Sequence, residues 1–340
     1  MSVFKAGLTR DLLTASGQPS FGAAPLEILV AARDDLQWEY IAESVSEITP
    51  DQAARYDAIY VNAPKVTAAS VARSDCRLQL VARHGVGYDS VDVAALTRAG
   101  ILLTNTPVAV RRPVATMAIT YVLALAQKML IKDRLTRSGN WTQRNEHMGR
   151  GLTGRTLGIV GAGGTGQELL HVVRSFDMRL LVADPYADSG RIGALGAKLV
   201  PLHALLHEAD FVVLMCLLND ETHHLINAEA LASMKPTAYL VNVARGPVVD
   251  EPALIKALEE KRIAGAGLDV FEQEPVAPDN PLLKMEHVIV SPHALCWTDE
   301  NFGAIATDGL TSVVDVARGR RPAYLVNPDA LQAPRWARLR

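Results

Sequence analysis

Residues 154–170 read GRTLGIVGAGGTGQELL. The run TLGIV is short, apolar and partly β-branched, and it halts at a glycine cluster beyond which a helical pattern begins. A strand, a tight turn and a helix are therefore expected in succession. Gly161, Gly163 and Gly166 stand there in G-x-G-x-x-G spacing. Gly161 permits the turn, Gly163 lets backbone approach a pyrophosphate, and Gly166 allows helix and strand to pack closely, while the start of the helix stabilises the anion. Glycine turns also arise for structural reasons alone, so the next run matters. MRLLVAD (178–184) ends in Asp184, at the distance downstream where an acid accepts hydrogen bonds from an adenosine ribose. The plainer alternative is an acid capping a helix before Pro185. A carboxylate at this point repels the extra 2'-phosphate of NADP, and DPYAD (184–188) contains no arginine to neutralise one, so the expected cofactor is NAD.

Similar apolar runs extend in both directions. FVVLMC (211–216), AYLVNVA (238–244), GAGLDV (265–270) and HVIVSP (287–292) continue the series, and EILVAA (27–32), YDAIYVN (56–62), LQLVARHG (78–85) and ILLTN (101–105) form an earlier one. Runs alternating with helical patterns indicate βαβ units. The fold class expected is α/β, with two Rossmann-like or flavodoxin-like domains built on parallel sheets. Between the series, NTPVAVRRP (105–113) is non-periodic and bracketed by Pro107 and Pro113, which suits a crossing between domains followed by a long helix. A last amphipathic pattern, about 299–318, has no strand of its own and is expected to return to the first domain. The expected division is thus 1–110 plus 296–340 for one discontinuous domain and 111–295 for the other.

A chain of 340 residues exceeds what one core usually serves, and 49% hydrophobic with 21% charged residues is the balance of a compact protein. The net charge of -3 gives no general attraction to nucleic acid or anionic lipid. The longest apolar stretch, 115–130, is interrupted by polar residues and falls short of the roughly 20 residues of a membrane span. Cys76, Cys216 and Cys296 are odd in number and far apart, which disfavours disulfides and structural zinc. No secretory leader is read at the start. Neither nucleic acid, membrane nor metal is therefore an expected partner, and the cytoplasm is the expected location. His223 and His224 suggest a metal pair only superficially, since adjacent residues seldom share a face; a structural or surface role is expected.

Three further segments carry chemistry: VNVARGPVVDEPAL (241–254), AGAGLDVFEQEP (264–275) and SPH (291–293). Together with LVARHGVGYDSVD (80–92), NTP (105–107), GNW (139–141) and LTGRTLGIVGAGGTG (152–166), they resemble the D-isomer-specific 2-hydroxyacid dehydrogenase family over nearly the whole chain. The resemblance implies an active site in the interdomain cleft and hydride exchange on a small 2-oxo or 2-hydroxy carboxylate. By it, Arg245 binds the substrate carboxylate and polarises the 2-oxo group, a task suited to a planar fork of donors. His293 protonates the developing alkoxide or accepts the hydroxyl proton, and Glu274 orients the imidazole and favours its charged form. Gly164 and Thr165 would face the pyrophosphate. Asp269 would hold the nicotinamide carboxamide, with the Val243 and Arg245 backbone nearby and Ala244 counted among the cofactor contacts. Cys216 would lie next to the cofactor, or simply pack. The Val86 and Gly87 amides resemble the family's carboxylate-binding turn. A homodimer is expected by the same analogy.

The chain also departs from the family pattern. Thr116 stands where a carboxylate is common, and Ala294, Leu295, Cys296 and Trp297 follow the histidine where glycines are common. Trp297 either lines the substrate site, favouring an apolar or larger side group, or packs against the closing domain. Arg111 and Arg112 replace small or polar residues and are read either as anion contacts or as exposed hinge residues. Two alternatives share these motifs: hydride transfer from formate or phosphite, and a non-catalytic NAD-sensing corepressor of the same fold.

Overall fold

The computed structural model describes residues 3–339. They form two compact units, one running to Val110 and resuming at Trp297, the other spanning Arg111–Cys296.

The first unit holds a parallel sheet of five strands: β1 (Phe4–Leu8), β2 (Leu36–Tyr40), β3 (Ala58–Val61), β4 (Leu80–Arg83) and β5 (Leu102–Thr104), in the spatial order β2-β1-β3-β4-β5. This is the flavodoxin-like order. One face is covered by Phe302, Leu310, Val313 and Val314 of the helix Asp299–Ala317, and by Leu331 and Trp336 beyond it. The other face packs on Ile41, Ile48, Tyr56 and Leu96.

The segment EILVAA does not form a strand. Glu27–Ala31 is a short helix led in by a 3-10 turn with Pro25 at its start, and only Leu29 of the five is buried while Val30 lies 43% exposed. A short apolar run is ambiguous between the two periods, and the proline before it was the discriminating signal. The true strands β1 and β2 lie on either side of it. Lys5 and Gly7 interrupt the apolar pattern of β1, while β2 is an edge strand whose Gln37 and Glu39 face outward.

The second unit holds seven parallel strands: β6 (Thr156–Val160), β7 (Arg179–Ala183), β8 (Ala197–Leu199), β9 (Phe211–Leu214), β10 (Tyr239–Asn242), β11 (Gly265–Leu268) and β12 (Val288–Val290). Their order, β12-β11-β10-β9-β6-β7-β8, reverses direction between β6 and β9, which is the Rossmann switch point. β6, β9, β10 and β11 are buried along their whole length, as expected for strands covered on both faces. The helix Arg111–Ala126 begins before Pro113 rather than after it, so the proline sits in the first turn, where its missing N–H costs nothing. Among the described residues, no single helix is long and apolar enough to cross a membrane.

Candidate active site

The glycine turn follows β6, and the helix Gly164–Val172 leaves from it. A Cβ on Gly161 would sit 2.6 Å from the Cys216 amide nitrogen, and one on Gly166 would sit 2.2 Å from the Gly161 carbonyl oxygen. Side chains are excluded at both by backbone. A Cβ on Gly163 would meet nothing within 4 Å, so open space lies beside the turn at that residue. Gly164 has the Arg111 guanidine against it, with Nε 2.5 Å from the position of a Cβ, while Arg112 pairs with Glu168 at 2.6 Å. Asp184, one residue past β7, accepts from the Ala162 amide (2.7 Å) and the Tyr186 amide (2.9 Å), which pins its carboxylate beside the turn. The Tyr186 hydroxyl in turn donates to Glu221 Oε2 at 2.7 Å. An open glycine cradle with a fixed carboxylate at the next strand end fits a dinucleotide whose ribose hydroxyls need an acceptor. Cys216, two residues past β9, has its thiol pushed up to about 11 by burial, so it packs without thiolate character.

Arg245, Asp269 and His293 lie just past the ends of three neighbouring strands, β10, β11 and β12. The turn carrying Arg245 is shaped by buried Asn242, whose Nδ2 donates to the Arg245 carbonyl (2.9 Å) and whose Oδ1 accepts from the Ala244 amide (3.0 Å). Val243 and Ala244 are buried beneath it, and the Arg245 guanidinium donates to the Ala244 carbonyl at 2.7 Å. Gly246 then presses on the next loop, since a Cβ there would come within 1.9 Å of the Phe271 carbonyl group.

That loop carries Glu274. Its Oε1 accepts from the Phe271 amide (3.0 Å) and its Oε2 lies 2.8 Å from His293 Nδ1. Burial raises the Glu274 carboxyl, but the His293 hydrogen bond, the Phe271 amide and the charges of His293 and Arg245 outweigh it and hold the group below its ordinary value. His293 has φ 53°, a left-handed conformation rare for a residue with a side chain. Buried Asp269 fixes it there. Its carbonyl accepts from the His293 amide (2.8 Å), and its Oδ1 accepts from the Ala294 and Leu295 amides (both 3.1 Å) and from the Ser291 hydroxyl. Tyr121, from the first helix of the unit, closes the chain of bonds with its hydroxyl 2.6 Å from Ser291 Oγ. Asn242, Ser291 and Tyr121 were not singled out in the sequence; only an Asn closing an apolar strand hinted at the first.

In the other unit, the turn after β4 has Gly85 at φ 120°. Asn105 Nδ2 donates to the Val86 carbonyl (2.8 Å) and the Thr106 amide to the Gly85 carbonyl (3.1 Å), so the NTP segment shapes the turn containing Val86 and Gly87. His84 below it is buried, with Nδ1 against the Tyr60 hydroxyl; burial first, and the Arg83 charge second, push its pKa down to about 3. Trp297 is 57% exposed and packs its ring against Phe302, centroids 5.0 Å apart. His223 and His224 depart from expectation. Their rings stack at 4.0 Å because His224 takes φ 49°, which turns adjacent side chains to one side. Among the described residues, no group of three or more metal-ligating side chains is gathered.

Residues 119–294 match the model of the D-isomer specific 2-hydroxyacid dehydrogenase, NAD binding domain. A glyoxylate reductase of Korarchaeum cryptofilum is 43% identical over 259 residues, covering 75% of this chain and 78% of that protein. One of Thermococcus onnurineus is 38% identical over 300 residues, covering 86% and 90%. The crystal structure of a glyoxylate reductase from Paecilomyes thermophila superposes with TM-score 0.83 at 28% identity, covering 96% of this chain and 99% of that one. With a glycine turn, a carboxylate fixed beside it and a His–Glu pair at the strand ends of one sheet, and with relatives aligned over most of its length, the chain belongs to the D-isomer specific 2-hydroxyacid dehydrogenase family as an NAD-dependent enzyme.

Proposed function

We propose that the protein interconverts a small 2-oxo carboxylate and its D-2-hydroxy acid, with Arg245, Glu274 and His293 as the working side chains. The observation that carries this reading is the 2.8 Å pairing of His293 with Glu274 on a loop that packs against the Arg245 turn. Arg245 offers a planar fork of donors to a carboxylate and the adjacent carbonyl oxygen. In reduction, His293 donates a proton through Nε2 to the oxygen developing charge at C2; in oxidation the same atom accepts the hydroxyl proton. Nδ1 is committed to Glu274, which fixes the ring and stabilises the imidazolium. NAD, when bound, would supply the hydride acceptor for oxidation at C2 and, in its reduced form, the hydride donor for the reverse reaction. The residues that would hold it are Gly161, Gly163, Gly164, Thr165 and Gly166 at the pyrophosphate and Asp184 at the ribose, with Cys216, Val243, Ala244 and Asp269 toward the nicotinamide.

The Val86 and Gly87 amides are assigned to the substrate carboxylate, and Trp297 to the substrate's side group. In this scheme residues 1–110 with 296–340 serve the substrate and 111–295 the cofactor. Glyoxylate is the first substrate to test, since the relatives at 38–43% identity bear that activity in their names. Purified protein with NADH and a panel of 2-oxo acids should consume cofactor with glyoxylate or hydroxypyruvate, and a flat trace across the panel overturns the reading.

Self-association as a homodimer belongs to the same proposal. Met129, Leu130, Trp141 and Met148 expose 45–78% of their surface within one short stretch, beside a groove of about 440 Å³ lined by Lys128, Tyr239, His287 and Ile289. Apolar surface gathered in this way marks association sites. Light scattering should return twice the chain mass, and Leu130→Glu with Met148→Glu should halve it.

A further inference from the structure

We propose that His224 is a positioning residue for this reaction: it ties the turn that carries Arg245 to the loop that carries Glu274, and so sets the guanidinium against the His293–Glu274 pair. The inference rests on the assignment of those three side chains as the reacting site.

His224 ends the loop that follows β9. Asn219 Oδ1 accepts from the Glu221 and Thr222 amides, each at 3.0 Å, and the Thr222 hydroxyl donates to the Leu217 carbonyl at 2.6 Å, so this loop is braced by its own side chains. From there His224 reaches two places. Its amide donates to the Pro247 carbonyl at 2.8 Å, two residues past Arg245. Its Nε2 lies 2.6 Å from Glu272 Oε1, two residues before Glu274. Glu272 is held from behind as well. Its Oε1 accepts from the Glu251 amide (3.2 Å), its own amide donates to Glu251 Oε2 (3.0 Å), and Glu251 Oε1 accepts from Asn280 Nδ2 (2.7 Å).

Contact between the two turns does not by itself fix their register. Gly246 lets them touch, but a glycine against backbone offers no directional bond. Through His224, one residue holds both turns by directional bonds. The backbone shows the cost accepted for it, since His224 (φ 49°) and His293 (φ 53°) are two of the five left-handed residues other than glycine among the described residues. Strain of that kind persists where surrounding contacts over-determine it, and here each histidine engages one acid of the 272–274 loop.

A tether of this kind acts through placement, so its loss appears in turnover rather than in cofactor binding. His224→Asn keeps a residue that accepts the left-handed conformation but is too short to reach Glu272; His224→Gln restores an N–H donor at about the reach of Nε2. His224→Asn should lower kcat/KM for glyoxylate about tenfold, with KM raised and kcat reduced, because displacements well under 1 Å suffice at a reacting site. NADH affinity and Tm should stay at the wild-type values, His224→Gln should recover most of the loss, and in a Glu272→Ala background His224→Asn should add nothing further. If His224→Asn destabilises the protein, Glu272→Ala alone, which removes the acceptor, serves in its place and should shift kcat and KM the same way. Wild-type kcat and KM in these variants overturn the tether, as does a loss that follows Tm and is not recovered by Gln. Arg245→Lys and His293→Gln are assayed alongside: if they too turn over normally, the site assignment has failed, whereas if they are impaired and His224→Asn is not, only the tether has failed.

Discussion

At Arg245 the turn is held by more than the guanidinium's bond to the Ala244 carbonyl. Asn242 fixes the backbone on one side and Gly246 seats it on the other, so the side chain can be removed while the turn survives. Arg245→Ala should therefore lower kcat/KM roughly 100-fold through lost orientation and charge stabilisation, with little change in Tm. Steady-state kinetics beside a thermal melt checks both. His84 gives a prediction of another kind. Its pKa falls from 6.5 to about 3 on folding, so the unfolded chain binds the proton first as pH drops. Stability is complete above the unfolded value and declines below it, by about 1.4 kcal/mol per pH unit. Between about pH 7 and about pH 5 this group alone should remove about 2 kcal/mol of unfolding free energy, and His84→Phe should flatten that slope in urea titrations. Glu274, held below its ordinary value, adds a loss of the same sign at lower pH. Arg245, Glu274 and His293 stood out as candidates in the sequence because each lies in a segment that resembles the family's. Ser291 and Tyr121 were not, since a bond between residues 170 apart exists only once the sheet has folded.

Two glycines separate structural need from functional need at the level of elements. Gly246 meets backbone atoms of Phe271 and Glu272, which have no flexible end to yield. Gly246→Ala should cost about 3 kcal/mol and depress activity as the Glu274 loop is pushed aside. Gly163 has a negative φ of -64° and space around it, so Gly163→Ala should keep the unfolding midpoint but raise the NADH dissociation constant about tenfold by obstructing the anion's approach. Equal loss of stability in both variants would contradict this distinction; equilibrium unfolding with NADH fluorescence titration measures it. The sequence marked the buried strands of the seven-stranded sheet clearly, since β6, β9, β10 and β11 are apolar apart from Thr156 and Asn242 at strand ends. It was least readable at the edges, where β2 and β8 are exposed on one side and so lack a continuous apolar run. At EILVAA, five apolar residues in six could not distinguish a strand from one turn of helix.

The two units differ in how much of the chain each requires. The segment Arg111–Cys296 carries its own sheet with packed clusters on both faces. The other unit takes Phe302, Leu310, Val313, Val314, Val316, Leu331 and Trp336 from the returning segment into its core. Burying a large apolar side chain contributes about 1.5–3 kcal/mol, so the seven together match the whole stability of an ordinary domain, about 5–15 kcal/mol. A chain ending at residue 110 should therefore lack cooperative unfolding in urea, whereas a fragment of residues 111–296 should unfold cooperatively and quench with NADH. Joining residues 297–340 to 1–110 through a short glycine linker should restore the transition, because the missing face of the five-stranded sheet returns with it. A sigmoidal urea curve from residues 1–110 alone would show that the carboxy-terminal helix is dispensable to that core, and the division of the chain would then have to be drawn differently.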